Sequence, residues 1–176
     1  VLSGDVNPSG KLPFSFPVHL GDNSAHFYGP ISYPGDSINQ TYKEGILVGY
    51  RWHDTKQISA NYAFGHGLSY TEFKVSKIKA DKRNYRSGGK ISVTCEVANR
   101  GEADGAEVVQ VYVGKLNSAV ERAEKELKGF KKIMVPADGK VKVEIEIDVD
   151  DLAYYDEKIN GWNLEKGKYR IFVGTA

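Results

Sequence analysis

The nine residues VKVEIEIDV, Val141 to Val149, decide the fold. Apolar β-branched side chains stand at every odd position, while Lys142, Glu144, Glu146 and Asp148 fill the even ones. A period of two puts the first set on one face of an extended chain and the second on the other, so the stretch reads as a strand with one buried and one wet face. Outward from it the same pattern recurs. Ile91, Val93, Cys95 and Val97 alternate with Ser92, Thr94 and Glu96. Cys95, the single cysteine, therefore takes an inward position and reads as a small buried hydrophobe, not a reactive thiol.

Further strands are expected at Phe73–Ile78, Glu107–Gly114, Leu127–Val135 and Tyr169–Val173, and Leu152–Asp156 and Gly161–Leu164 surround another turn. Turn signals separate them at Asn99 to Gly105 and at Pro136-Ala-Asp-Gly139, and Leu116 to Glu126 reads as loop or short helix. No long helical period interrupts this series. Short strands at turn-punctuated intervals make the chain mainly β, an antiparallel β-sandwich of the fibronectin type III or immunoglobulin kind.

The front third differs. Gly21 to Gln40 is rich in Gly, Pro, Ser and Asn with no period, which predicts a long surface loop, and loops of that length are uncommon unless functional or pinned to a partner. Glu44 to Trp52 is predicted to be a strand. Then comes FGHGLSYT, Phe64 to Thr71, where glycines flank His66 and aromatics stand on both sides: the chemistry of a tight hinge. The organisation expected is a loop-rich segment over residues 1–64 and a sandwich domain over 65–176. Val1 starts the chain without methionine, and VLSGDVNPSGKLPFSFP opens on a turn cluster with no core of its own, so the chain reads as a piece of a longer polypeptide.

Composition excludes several classes. Lys and Arg total 24 against 23 Asp and Glu, so no net field points to nucleic acid or to an anionic membrane. No apolar run approaches the ~20 residues of a membrane-spanning helix. Eleven tyrosines suit sugar or protein surfaces better. His19, His26, His53 and His66 lack the paired spacing of a metal site, and Asp148, Asp150 and Asp151 read as a solvated strand end. Asn39-Gln-Thr41 fits a glycosylation sequon, a short pattern that recurs by chance.

TYKEGILVGYRWHD (Thr41 to Asp54) and FGHGLSYTEF, with the weaker KELKGF, AYYD and GWNLEKGKYRIFVG, resemble the C-terminal part of family three glycoside hydrolases, the β-glucosidase family. The resemblance covers essentially the whole chain; His66 departs from it, standing where the family often has tyrosine. It implies that residues 1–64 complete an α/β sandwich domain ahead of a fibronectin type III-like domain. It also implies retaining hydrolysis of terminal β-linked glucosyl or related residues, without cofactor or metal, by an enzyme of the periplasm or cell exterior. The partners implied are the remaining domains of the same enzyme, on the same or a separate chain, and a β-linked glucoside or oligosaccharide.

Retaining hydrolysis needs two carboxyl groups about 5 Å apart. In the family the nucleophile is an aspartate of the first domain and the acid/base a glutamate ahead of the stretch matching Val1 to Pro17, so no catalytic residue is assigned within this chain. Glu44, with Tyr42, Gly45 and Arg51, reads as a packed strand carrying a charge pair. The functional candidates are His26, Tyr28 and Tyr33 of the long loop, whose flat faces and donors suit the rim of a sugar pocket. The competing reading buries the same aromatics against a neighbouring domain, and Trp52 and His53 read as structural. A rival class is a non-catalytic sugar- or protein-binding sandwich module, whose mark would be an exposed aromatic row; the strand faces show Lys, Glu and Thr instead.

Overall fold

The alternation that starts at Val141 becomes a strand whose inner face lines a packed core. A computed structural model describes residues 1–176. In chain order its strands are β1 (Phe16–Pro17), β2 (Ala60–Tyr62), β3 (Phe73–Ala80), β4 (Lys90–Asn99), β5 (Gly105–Lys115), β6 (Glu126–Val135), β7 (Lys140–Asp148), β8 (Tyr154–Asp156), β9 (Gly161–Asn163) and β10 (Tyr169–Gly174). Two short helices, α1 (Ser24–Phe27) and α2 (Tyr50–Lys56), lie in the front third.

Two three-stranded antiparallel sheets, ordered β3-β4-β7 and β10-β5-β6, form the sandwich. β4 and β7 pair from Lys90↔Asp148 to Ala98↔Lys140, which sets Val93 opposite Ile145 and Cys95 opposite Val143 on the inner face. These side chains meet Val109, Val111 and Val113 of β5 and Val135 of β6 in one buried cluster. Cys95 is a free, buried thiol within it, and burial raises its pKa. The sheets approach closely at Gly129, where a Cβ would stand 2.7 Å from Ile145 Cγ2, so the glycine of KELKGF is a packing requirement.

The hinge is a clasp. Gly65 N–H donates to Leu12 O at 2.9 Å and Leu12 N–H to His66 O at 2.8 Å, tying the opening stretch to FGHG. Gly65 has φ +85, and a Cβ there would stand 2.4 Å from Gln110 Nε2 of β5, so both conformation and space demand glycine.

Glu44 to Trp52 is not a strand. Residues from Lys43 to Ile46 are turns, Gly45 and Gly49 both take positive φ, and α2 starts directly after Gly49. The apolar and aromatic residues of this run suggest extension, but two left-handed glycines break it. The burial of Trp52 and His53 as neighbours is helical, not alternating. The expected charge pair also fails: Arg51 lies 3.8 Å from Glu126 of β6, while Glu44 is buried with Oε2 unpartnered. The long loop from Gly21 to Gln40 is loop in most of its length, interrupted by the single turn of α1.

Candidate functional site

The loop that carries His26, Tyr28 and Tyr33 is built on local caps. Asn23 Oδ1 accepts from Ala25 N–H at 3.0 Å and starts α1, which carries His26 and Phe27. Ser32 and Tyr33 amides both bond back to Gly29 O, and Asp36 Oδ1 accepts from the amides of Ile38 and Asn39, closing the next turn. Those two amides, together with the Asn39 side chain, hold the Asp36 carboxyl below its ordinary pKa.

Two of the three candidates come together and the third turns away. The rings of His26 and Tyr33 lie 4.7 Å apart at 51°, with Tyr33 half exposed. Tyr28 instead packs edge-on against Trp52 at 5.8 Å and Phe27 at 5.3 Å. Trp52 is 1 % exposed and donates its indole N–H to Asp22 O at 2.9 Å, so Tyr28 belongs to a small second core with Leu47, Ile58 and Ala123. Trp52 and His53 are structural: His53 Nδ1 lies 3.0 Å from Ile58 O at the end of α2.

Three buried polar atoms of this front segment, His26 Nδ1, Ser32 Oγ and Glu44 Oε2, have no hydrogen-bond partner. Leaving such a group unpaired costs about 1–3 kcal/mol. The same front segment exposes Phe14, Phe16, Phe27, Ile31, Tyr42 and Val48. Scattered apolar residues are ordinary, but this density along one short segment marks an interaction surface. No group of three or more His, Cys, Asp or Glu side chains is placed to hold a metal ion.

Against the sandwich, the segment is held by charge and by aromatic contact. Arg51 of α2 shares Glu126 with Arg122 (3.5 Å) and Lys128 (3.2 Å), and Asp54 pairs with Lys125 at 3.1 Å. Burial pushes the Glu126 carboxyl up, but Lys128, Arg51 and Arg122 together outweigh it and hold its pKa below the ordinary value. Tyr50 stacks between Phe64 at 5.1 Å and Tyr112 at 5.6 Å.

One further feature lay outside the sequence expectations. Tyr155 and Trp162 stand exposed on the β8–β9 hairpin, rings 5.8 Å apart. The alternation in AYYD and GWN carried the signal, because Tyr155 and Trp162 fall opposite each other when the two segments pair.

A fibronectin type III-like sandwich clasped to a loop-rich front segment defines the class of the molecule. Profiles agree: residues 1–70 match the glycosyl hydrolase family 3 C-terminal domain and residues 107–176 the fibronectin type III-like domain. The whole chain is 46 % identical to the beta-glucosidase BoGH3A of Bacteroides ovatus and 43 % identical to the thermostable beta-glucosidase B of Acetivibrio thermocellus, covering 24 % and 23 % of those proteins. It is also 38 % identical to an exo-alpha-(1->6)-L-arabinopyranosidase of Bifidobacterium longum, covering 22 % of it. Among solved structures, DesR, a beta-glucosidase from Streptomyces venezuelae in complex with D-glucose, superposes with a TM-score of 0.90 at 39 % identity over 99 % of the chain and 22 % of its own. The chain belongs to glycoside hydrolase family three and corresponds to the C-terminal portion of its members. It spans about a quarter of the length of these relatives.

Proposed function

We propose that this chain serves as the C-terminal part of a retaining β-glucosidase-type hydrolase acting on terminal, non-reducing β-linked glucosyl or related residues. The observation that carries the reading is the 46 % identity to BoGH3A, which runs over all 176 residues and leaves no part of the chain outside the match. The chain's own work is mechanical: residues 1–64 close the preceding domain, and residues 65–176 brace it as a sandwich. The exposed apolar belt is the surface that the remaining domains of the enzyme cover. His26 and Tyr33, stacked and at the surface, supply the pocket rim, whereas Tyr28 packs on Trp52 in the second core.

The arabinopyranosidase among the relatives indicates that a similar C-terminal portion accompanies more than one sugar, so the choice of sugar rests largely with other domains. The test is complementation. BoGH3A truncated before the segment matching Val1 should be inactive on an aryl β-glucoside. Adding this chain, by fusion at that point or as a separate polypeptide, should restore hydrolysis, and the chain alone should give none. Turnover by the chain alone that a substitution within it abolishes would overturn the assignment, as would a fusion that folds and stays inactive.

A further inference from the structure

The β8–β9 hairpin has two unlike faces. Asn163 donates to Tyr154 Oη and Asp156 Oδ2, both at 3.2 Å, which locks the polar face. On the other, Tyr155 sits directly across from Trp162 with the rings nearly perpendicular at 83°; Trp162 is 73 % exposed and Tyr155 48 %. Large aromatics held open by a locked hairpin serve no core.

Both rings edge a groove of about 1080 Å³ where α2, the start of β6 and the hairpin meet. Arg122 lines the same groove. Its side chain is only 10 % exposed, and Nη2 donates to Leu152 O at 3.0 Å and lies 3.5 Å from Glu126. The guanidinium stands 5.9 Å over the Tyr154 ring, yet buried Nη1 has no partner. Asp151, Glu157 and Lys158 complete the rim.

We propose that this groove binds a neutral pyranoside ring. The C–H face of such a ring stacks on Trp162 with the Tyr155 ring at its edge, and its hydroxyls meet the Arg122 guanidinium and the acceptors of Asp151 and Glu157. An aromatic wall with a few convergent polar groups is the ordinary make-up of a small-ligand site, and paired positive and negative side chains suit a polyol better than an anion. The inference rests on these side chains and not on the hydrolase reading, so either can fail without the other.

The chain has two tryptophans, and they differ in a way that makes the test clean. Trp52 is buried with its indole N–H bonded to Asp22 O, while Trp162 is open to solvent, so a ¹⁵N-labelled chain shows one protected and one exposed indole resonance. Titration with methyl β-D-glucopyranoside and with cellotetraose should move the Trp162 resonance saturably and leave that of Trp52 in place. In calorimetry the affinity for cellotetraose should fall at least tenfold in Trp162→Ala and less in Trp162→Phe, with the Trp52 resonance reporting that both variants are folded. A Trp162 resonance indifferent to both sugars up to their solubility would overturn the proposal, and so would equal binding by the Ala variant.

Discussion

The backbone amide of Leu127 donates to the hydroxyl oxygen of Tyr50 at 2.8 Å, joining a strand of the sandwich to a helix of the front segment. Leu127 lies where the β5–β6 register shifts, between the pairs Val111↔Gly129 and Tyr112↔Leu127. Tyr50 thus gives the amide a partner at an irregular point of the ladder, and its ring rests on Tyr112 of the facing strand. Removing the hydroxyl while keeping the ring isolates the hydrogen bond. Tyr50→Phe should cost about 1 kcal/mol in chemical denaturation, and Tyr50→Ala should cost more through lost aromatic packing. Equal losses for the two variants would show that the ring contributes nothing.

The facing of β7 sets what a substitution along it costs. Ile145 is 7 % exposed and Glu144 points to solvent, bonded to Ser92. Ile145→Ala should cost roughly 2–4 kcal/mol and Glu144→Ala under about 0.5 kcal/mol. Gly129→Ala should cost roughly 1–3 kcal/mol, because its new methyl meets Ile145 Cγ2 at 2.7 Å. Removing that Cγ2 relieves the clash, so Gly129→Ala with Ile145→Ala should be less destabilised than the sum of the single changes. A denaturant melt of the four proteins checks this, and strict additivity would show that the two side chains do not meet.

The sandwich was legible because its strands obey a single local rule. Val93, Cys95, Val143 and Ile145 each sit where period-two alternation puts them, and Pro136 to Gly139 turns the chain between β6 and β7. The front segment obeys no such rule. Its course depends on two positive-φ glycines, 45 and 49, and on contacts made from a distance, such as Trp52 to Asp22 and Arg51 to Glu126. Of the loop aromatics, sequence grouped His26, Tyr28 and Tyr33 and gave no means of seeing that Tyr28 turns to Trp52. Arg122 and Trp162 were invisible as neighbours because 40 residues and a sheet edge separate them in sequence while one groove joins them in space.

Acid should loosen the junction at Glu126. Its carboxyl has a folded pKa below the unfolded value, so the stability it supplies is full above the ordinary carboxylate range, near 4.3, and is lost as pH falls through the depressed folded value. Glu126→Gln should therefore be less stable than the parent at neutral pH, with the gap closing below about pH 4. Urea melts of both proteins across that range measure the gap. A gap that stays constant down to low pH would show that the three cations do not act through the carboxylate charge.

The parts of the front segment are held with unequal firmness. From Gly29 to Val48 only Ser32, Glu44 and Leu47 are buried, and the backbone bonds of the stretch are turns within itself. Ile31, Tyr33, Ile38, Tyr42, Ile46 and Val48 are exposed. Few buried contacts and only local hydrogen bonds mean a low free energy of local opening. The helix that follows is different: Tyr50 bonds to Leu127, Thr55 Oγ1 accepts from Glu124 N–H at 2.9 Å, and Asp54 pairs with Lys125. Chymotrypsin at limiting concentration should therefore cut the isolated chain after Tyr42, since Tyr33 is protected by the proline that follows it. The product should retain α2 and the whole sandwich. In a fusion to the preceding domains of BoGH3A the same bond should survive, because the proposed docking covers the belt in which Tyr42 lies. Cleavage at Tyr42 with equal rates in the isolated chain and in the fusion would mean that the belt stays open to solvent, and the bracing role would lose its physical basis.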